Sequence, residues 1–422
     1  TIPEGCYQPE ELDKLVPDIS LNNTTPLPEV SIEEEDIASI IYTSGTTGFS
    51  KGVVLTHKNL VWDARQCHTI QPVDETYRFL SILPMAHTYE NTLGLLLPLM
   101  FGAQVYYLDR VPTPKLLVPA MQKIRPTVVL SVPLIIEKIY KSQVLPKFTS
   151  SKLMSKLYQF APARKLFNRL AGKKLMETFG GELKFFGIGG SKLDGTVEQF
   201  LREAKFPYAI GYGLTETAPM AAGSNPSQTF LQGVGPVMEG VQIKINDPDK
   251  SGQGEIWIKG PNVMKGYYKR PELTAETFTE DGWFKTGDLG SFDKKNRLAI
   301  RGRIKTMILG ASGENIYPEE IESIINNFRF VNESLVVENS GKLVAMVHFN
   351  MEELEKQYQK LKDQAGNYKE KINDYIEEQK QELRDYVNAR VNNFSKLQLV
   401  LVQHEPFEKT PTHKIKRFLY CK

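Results

Sequence analysis

A run of small and hydroxylic residues ends in a lysine: Tyr42-Thr43-Ser44-Gly45-Thr46-Thr47-Gly48-Phe49-Ser50-Lys51-Gly52-Val53, directly after the apolar Ile37–Ile41. Glycines let a backbone approach phosphate closely. Hydroxyls and exposed N–H groups donate to phosphate oxygens, and one lysine supplies charge. The pattern is not a Walker A loop, which needs G-x-x-x-x-G-K-[ST]; here Lys51 is followed by Gly52. Thr43, Ser44, Gly45, Thr46, Thr47 and Lys51 are therefore candidate phosphate ligands. A plain Ser/Thr/Gly-rich turn accounts poorly for so many small residues ending in Lys-Gly.

Four further segments follow in order. They are Gly211-Tyr212-Gly213-Leu214-Thr215-Glu216-Thr217, Trp283-Phe284-Lys285-Thr286-Gly287-Asp288, Gly302-Arg303-Ile304-Lys305, and Lys409-Thr410-Pro411-Thr412-His413-Lys414-Ile415-Lys416-Arg417. The lysine loop resembles the T-S-G-T-T-G-x-P-K-G signature of the adenylate-forming superfamily, with Ser50 where proline is common. That superfamily includes acyl-CoA synthetases, luciferases and peptide-synthetase adenylation domains. All five motifs match it in order, from residue 42 to residue 417.

The resemblance implies a role for each residue, and each has a plainer alternative. Tyr212, between Gly211 and Gly213, offers a flat face to adenine, where an isolated tyrosine would be ordinary core. Thr215 can donate to the α-phosphate, and Glu216 is a hard oxygen ligand suited to Mg²⁺; alone, Thr-Glu would read as a helix start. Asp288 can accept from ribose hydroxyls, although an aspartate after glycine is often only a turn residue. Arg303 could donate to the same ribose. Gly189 and Gly190 follow a buried-strand pattern and can face adenine, although Gly-Ser-Lys departs from the family's usual alanine and proline here. His87, in Leu83-Pro84-Met85-Ala86-His87, matches a position lining the passage between acyl pocket and thiol.

The implied reaction has two halves. A carboxylate attacks the α-phosphorus of ATP, aided by positive charge from Lys51, Mg²⁺ on Glu216, and Lys414. A thiol, coenzyme A, then displaces AMP. Between the halves a small domain rotates about a hinge at Lys305, which brings the loop of Gly313 toward the site.

Positioning these motifs requires an α/β fold. Val128–Val132 and Leu183–Ile188 read as buried strands between helical stretches. Residues 233–302 read as short strands between Gly/Asp turns, a small β subdomain. The expected layout is a large domain of layered α/β sheets over 1–302, followed by a small mobile α+β domain over 303–422. Within the superfamily the chain looks most like bacterial long-chain fatty-acid CoA ligases, with ATP, Mg²⁺ and coenzyme A as expected ligands. Loading of another acid onto a carrier protein, and a non-catalytic nucleotide- or acyl-binding remnant, are the alternatives. The family's phosphate loop follows a long segment, whereas here it begins at Tyr42. The expectation is a chain lacking that N-terminal part, which binds nucleotide, self-associates and turns over poorly by itself.

The net charge of +2 gives no overall pull toward nucleic acid. Three cysteines, Cys6, Cys67 and Cys421, show no C-x-x-C pairing, so a zinc site or disulfide framework is not expected and a reduced cytoplasmic setting is. The longest apolar run, Leu93–Ala103, is too short to span a bilayer and reads as a buried helix. Residues 351–394 show an apolar stripe at helical spacing, from Leu354 and Tyr358 onward, a helix packed on the small domain. Residues 141–176 hold nine Lys/Arg and no Asp or Glu, interleaved with apolar residues. Peripheral contact with the inner face of an anionic membrane and a solvated basic insertion stand level for this stretch.

Overall fold

The computed structural model describes residues 30–44, 50–108, 112–149, 151–310, 314–361, 368–409 and 415–420. Strands β1 (Ile37–Ser44) and β2 (Ser50–Thr56) form an antiparallel hairpin, and the described parts of the lysine motif, residues 42–44 and 50–53, are strand residues with Lys51 on β2. Val53 and Leu55 are buried, which fixes which face of β2 looks inward. Thr56 then caps helix α1 (His57–Ile70). Asn59 N donates to Thr56 Oγ1 (3.2 Å), and Thr56 N donates back to Asn59 Oδ1 (2.9 Å). This reciprocal cap anchors the exit of the hairpin.

Six strands build the main sheet: β3 (Arg78–Ser81), β4 (Gln104–Tyr107), β5 (Val128–Ser131), β6 (Phe185–Ile188), β7 (Tyr208–Tyr212) and β8 (Ala222–Gly223). Their order is β4–β3–β5–β6–β7–β8, with β3 to β7 parallel and β8 antiparallel to β7. All four residues of β5 are buried, as expected of a parallel strand covered on both faces. Between β5 and β6 lie helices α2 (Lys152–Gln159) and α3 (Ala161–Thr178). Phe179, Phe186 and Phe206 pack edge to face, with centroids 5.4 to 5.5 Å apart, and tie β6 to the helical layer. The apolar run Leu93–Ala103 is only partly the buried helix expected. A π-helical turn, Glu90–Leu96, leads into a short helix, Leu97–Met100. Leu93 and Leu97 are buried, while Leu99 and Met100 face solvent.

Next come β9 (Gln242–Asn246), β10 (Gly254–Lys259), β11 (Gly266–Tyr267), β12 (Phe284–Phe292) and β13 (Leu298–Arg303). Four of them make an antiparallel sheet in the order β13–β12–β10–β9, the β subdomain read from residues 233–302. β11 leaves that sheet and pairs with β2.

After Arg303 a 3₁₀ turn, Ile304–Thr306, leads to a ribbon of β14 (Ile308–Leu309) and β15 (Asn315–Ile316). Helix α4 (Pro318–Asn326) follows, then a sheet of β16 (Val331–Asn339), β17 (Lys342–Phe349) and β18 (Leu399–Val402). The charged stretch forms two helices, α5 (Met351–Leu361) and α6 (Tyr368–Asn388). Leu354, Tyr358, Leu383 and Val387 pack with Ile321, Ile325 and Val347 into a core separate from the main sheet. Polar contacts join it to the preceding part. Lys192 Nζ lies 2.7 Å from Glu320 Oε1, and Lys141 Nζ donates to Val331 O at 3.3 Å. Tyr317 OH donates to Gln253 Oε1 at 3.1 Å.

Phe186 is fully buried at the centre of the aromatic trio. Phe186→Ala should lower unfolding free energy by about 3–5 kcal/mol, measured by chemical denaturation. A loss under about 1 kcal/mol would contradict this packing.

Candidate active site

The surroundings of Lys51 are assembled by strand pairing. Tyr267 of β11 stands opposite Val53 of β2, and Tyr268 N donates to Gly52 O at 2.7 Å. Tyr267 is thereby brought beside the lysine loop, with Lys51 Nζ 4.8 Å from its ring centroid. Its hydroxyl donates to Glu216 Oε1 at 2.8 Å, while Met264 N holds the Glu216 carbonyl at 2.9 Å. Lys51 and Glu216, 165 positions apart in sequence, meet through one tyrosine. Burial lowers the pKa of the Lys51 ammonium. Glu216 opposes that shift, while the charges of Lys305 and Arg303 add to it. Two more cations therefore act on the same point in space. Burial and the Glu216 charge together raise the pKa of Tyr267, keeping its hydroxyl a donor. Thr43 sits opposite Lys51 in the hairpin register, and Ser44 opposite Ser50. Gly45, Thr46 and Thr47 lie outside the described residues.

The second cluster lies where β7 ends and β12 meets β13. Tyr212 OH donates to Asp288 Oδ2 at 3.0 Å, and Arg303 Nε lies 3.0 Å from Asp288 Oδ1. Asp288 and Arg303 are cross-strand partners, so their contact is set by register. The Asp288 charge is the main reason the Arg303 pKa is raised. Asp288 thus joins the tip of β7 to the end of β13 through its two oxygens. Tyr212 is 8% exposed, so the fold already covers most of its ring.

The glycines flanking Tyr212 have a packing reason. An added Cβ at Gly213 would collide with the Pro219 carbonyl, and one at Gly211 would lie 2.6 Å from Met220 Cε. Their bareness lets the chain fold back over β7. Thr217 closes that fold. It receives Leu214 N (2.8 Å) and donates to Pro219 O (2.7 Å), which holds Thr215 and Glu216 on a 3₁₀ turn. Gly190 adopts φ +87°, a conformation that suits glycine, at the end of β6.

His87 Nδ1 accepts from Tyr89 N at 3.3 Å and fixes the start of the π-helical turn. Tyr89 lies across Gly187 and Gly189. Beside it runs an apolar cavity lined by Tyr89, Leu93, Leu97, Leu130, Ile210, Gly211 and Met220, with Cys67 also in its wall. Gly211 touches this cavity and precedes Tyr212, so the apolar and polar sites share one strand tip. Lys305 sits on the turn after Arg303, where Thr306 Oγ1 donates to Glu319 Oε1 at 2.6 Å. Lys414 and Gly313 lie outside the described residues. Lys414 is flanked by a bridge between Lys409 and Ile415. Lys409 pairs with Glu333, and Lys416 with Glu408 at 3.3 Å.

Sequence reasoning missed Tyr267, Tyr89 and Met220. The first was signalled by two aromatics directly after Gly266, the others by their closeness to His87 and the Gly-Tyr-Gly motif. Among the described residues no cluster of three or more His, Cys, Asp or Glu could hold a metal. The single carboxylate of Glu216 near the Lys51 cation fits Mg²⁺ that also takes phosphate oxygens, since Mg²⁺ takes one or two carboxylates plus phosphate.

The profile describing AMP-binding enzymes matches residues 3–268. The chain belongs to that family. It is 31% identical over 418 residues to the peroxisomal long chain acyl-CoA synthetase 6 of Arabidopsis thaliana, covering 91% of this chain and 59% of the relative. It is 32% identical over 338 residues to long-chain-fatty-acid–CoA ligase 1 of Saccharomyces cerevisiae, covering 73% and 47%. A chloroplastic Arabidopsis long-chain-fatty-acid–[acyl-carrier-protein] ligase is 30% identical over 399 residues, covering 79% and 54%. The chain thus spans about half to three fifths of these relatives. Among solved structures, ATP-bound MatB of Rhodopseudomonas palustris superposes with a TM-score of 0.71 at 23% identity, over 93% of this chain and 69% of that one. The AMP complex of O-succinylbenzoate coenzyme A synthetase of Bacillus subtilis gives 0.69 at 24%, over 92% and 70%. The fold is therefore that of these α/β proteins.

The depressed Lys51 pKa has a measurable consequence. An anion bound there opposes the depression, so the complex holds more protons than the free chain at alkaline pH. Calorimetric titration with ATP in buffers of different ionisation enthalpy should show proton uptake, and affinity should weaken as pH rises through the free Lys51 pKa. Proton release on binding would contradict the placement of phosphate at Lys51.

Proposed function

We propose that this chain carries the nucleotide and acyl sites of an ATP-dependent, AMP-forming acid–thiol ligase acting on a long-chain fatty acid and coenzyme A. The observation that carries the reading is the shared strand tip. An apolar cavity reaches Gly211, and the next residue joins the Tyr212–Asp288–Arg303 cluster. An acid whose tail fills the cavity would present its carboxylate near the α-phosphate of a nucleotide on that cluster. Positioning of this kind is what the first half-reaction needs.

In that half-reaction a carboxylate oxygen bonds the α-phosphorus, the bond to the bridging oxygen breaks, and pyrophosphate leaves. Lys51 offsets charge on the phosphates, Thr215 donates to the α-phosphate, and Asp288 and Arg303 hold the ribose. Mg²⁺, held by Glu216 and phosphate oxygens, would neutralise charge on the leaving group. In the second half-reaction the coenzyme A sulfur attacks the acyl carbon and AMP departs with the electron pair. Lys414 serves the first half only. A boundary at Arg303, with Lys305 as hinge, would let the small domain exchange Lys414 for the Gly313 loop. His87, which orders the turn at Tyr89, would border the thiol's path.

No helix among the described residues is long and apolar enough to cross a membrane. A cytoplasmic location completes the proposal. A second acceptor is kept because one relative is an acyl-carrier-protein ligase by name. A carrier's thiol would attack the same acyl carbon.

ATP–pyrophosphate exchange with acids of increasing chain length tests the reading. Exchange should require an acid, favour long chains, and be lost in Lys414→Ala by at least about a hundredfold. The same variant should still convert supplied acyl-AMP and coenzyme A to thioester. Equal loss of both half-reactions would overturn the role of Lys414, and exchange with no acid preference would overturn the substrate class.

A further inference from the structure

The basic stretch 141–176 is sorted by the fold. Lys141 turns inward to Val331 O, and Arg164 binds Glu203 through Nε and Nη2 at 2.8 to 3.2 Å. These two are committed to the protein itself. Lys156 of α2 and Lys165, Arg169, Lys173 and Lys174 of α3 are solvent-exposed. Lys147 and Lys174 line one shallow depression with Ser142, Gln143 and Pro146.

The apolar residues of the same helices are sorted as well. Phe148 stacks on Tyr158 (4.7 Å) and Phe167 (5.8 Å), and Tyr158 OH donates to Asn168 Oδ1 at 2.8 Å. Those side chains define the inner side of the α2–α3 pair. Leu153 lies about half a helical turn from Tyr158, Phe160 is the extended residue between the two helices, and Leu166 and Leu170 lie about half a turn from Asn168. They are 71%, 64%, 58% and 62% exposed. Large apolar side chains exposed singly are ordinary, but a cluster on two adjoining helices is not.

We propose that the outer side of α2 and α3 is a docking surface for an anionic lipid bilayer. Charge complementarity selects this occupant. From Lys138 to Met176 the chain has ten Lys/Arg and no Asp or Glu. Lys165, Arg169 and Lys173 flank Leu166 and Leu170, so cations meet headgroups while leucines enter the acyl boundary. The proposal deepens the fatty-acid reading and rests on it for its purpose, since the acid would be met at that surface.

Sedimentation with vesicles tests it. The 422-residue chain should bind phosphatidylcholine vesicles holding about one third phosphatidylglycerol at least about tenfold better than phosphatidylcholine alone, with strong salt sensitivity. Binding should fall about tenfold in Leu166→Ser with Leu170→Ser, and again in Lys165→Glu with Arg169→Glu and Lys173→Glu. Circular dichroism and ATP affinity of both variants should match the parent, which reports that they fold. Equal binding to neutral vesicles, or full binding by both variants, would overturn the proposal. So would loss of self-association in the leucine variant with vesicle binding unchanged, which would assign the face to a second copy. The assay contains neither acid nor coenzyme A, so it can fail while the exchange assay succeeds, and the reverse.

Discussion

The pairing of β11 with β2 is the contact on which the rest of the site depends. Lys51 stands on β2 and Glu216 on a separate 3₁₀ turn, so a third element has to join them. Two residues of β11 bring Tyr267 under Lys51, and its hydroxyl then holds Glu216. Without that link the Lys51 cation and the Glu216 carboxylate would be set by separate elements. With it, the distance between them is fixed by backbone hydrogen bonds and one aromatic ring. Burial makes the arrangement costly for Lys51, and the nearby Lys305 and Arg303 make it costlier. An excess of positive charge in a partly desolvated place is a poor resting state and a good receptor for polyphosphate.

The nucleoside and apolar sites depend in turn on glycines. Gly213 permits a fold-back that a Cβ would block at the Pro219 carbonyl, Gly211 leaves room for the Met220 thioether, and the fold-back carries Met220 to the cavity wall while presenting Glu216 to Tyr267. The apolar cavity, the Tyr212–Asp288–Arg303 cluster and the Glu216 turn thus lie around the carboxyl end of one parallel strand. Open α/β sheets commonly bind ligands at that end.

Much of this was legible in the sequence. The α/β class, the β subdomain between residues 233 and 302, and the strands at 128–132 and 183–188 follow from apolar runs and glycine turns. Asp288 and Arg303 were both read as ribose partners, and the register does place them side by side. What was not legible depends on pairing between distant segments. Nothing local in Gly266-Tyr267 tells that it joins β2 instead of its own sheet. The run from Leu93 to Ala103 reads as a buried helix, and hydropathy cannot show that Leu99 and Met100, on the short helix after the π-helical turn, face solvent. Arg164 is one of nine cations in a stretch without acidic residues, and its partner Glu203 lies 39 positions further along the chain. Lys414 rests on its motif alone.

The central claim is that Lys51 and Glu216 hold polyphosphate while the Tyr212–Asp288–Arg303 cluster holds the nucleoside. Binding of adenosine and of ATP with Mg²⁺ to Lys51→Ala, compared by calorimetry with the parent chain, separates the two. The account predicts that ATP affinity falls at least about tenfold while adenosine affinity stays within about twofold. Equal losses for both ligands, or an unchanged ATP affinity, would contradict it.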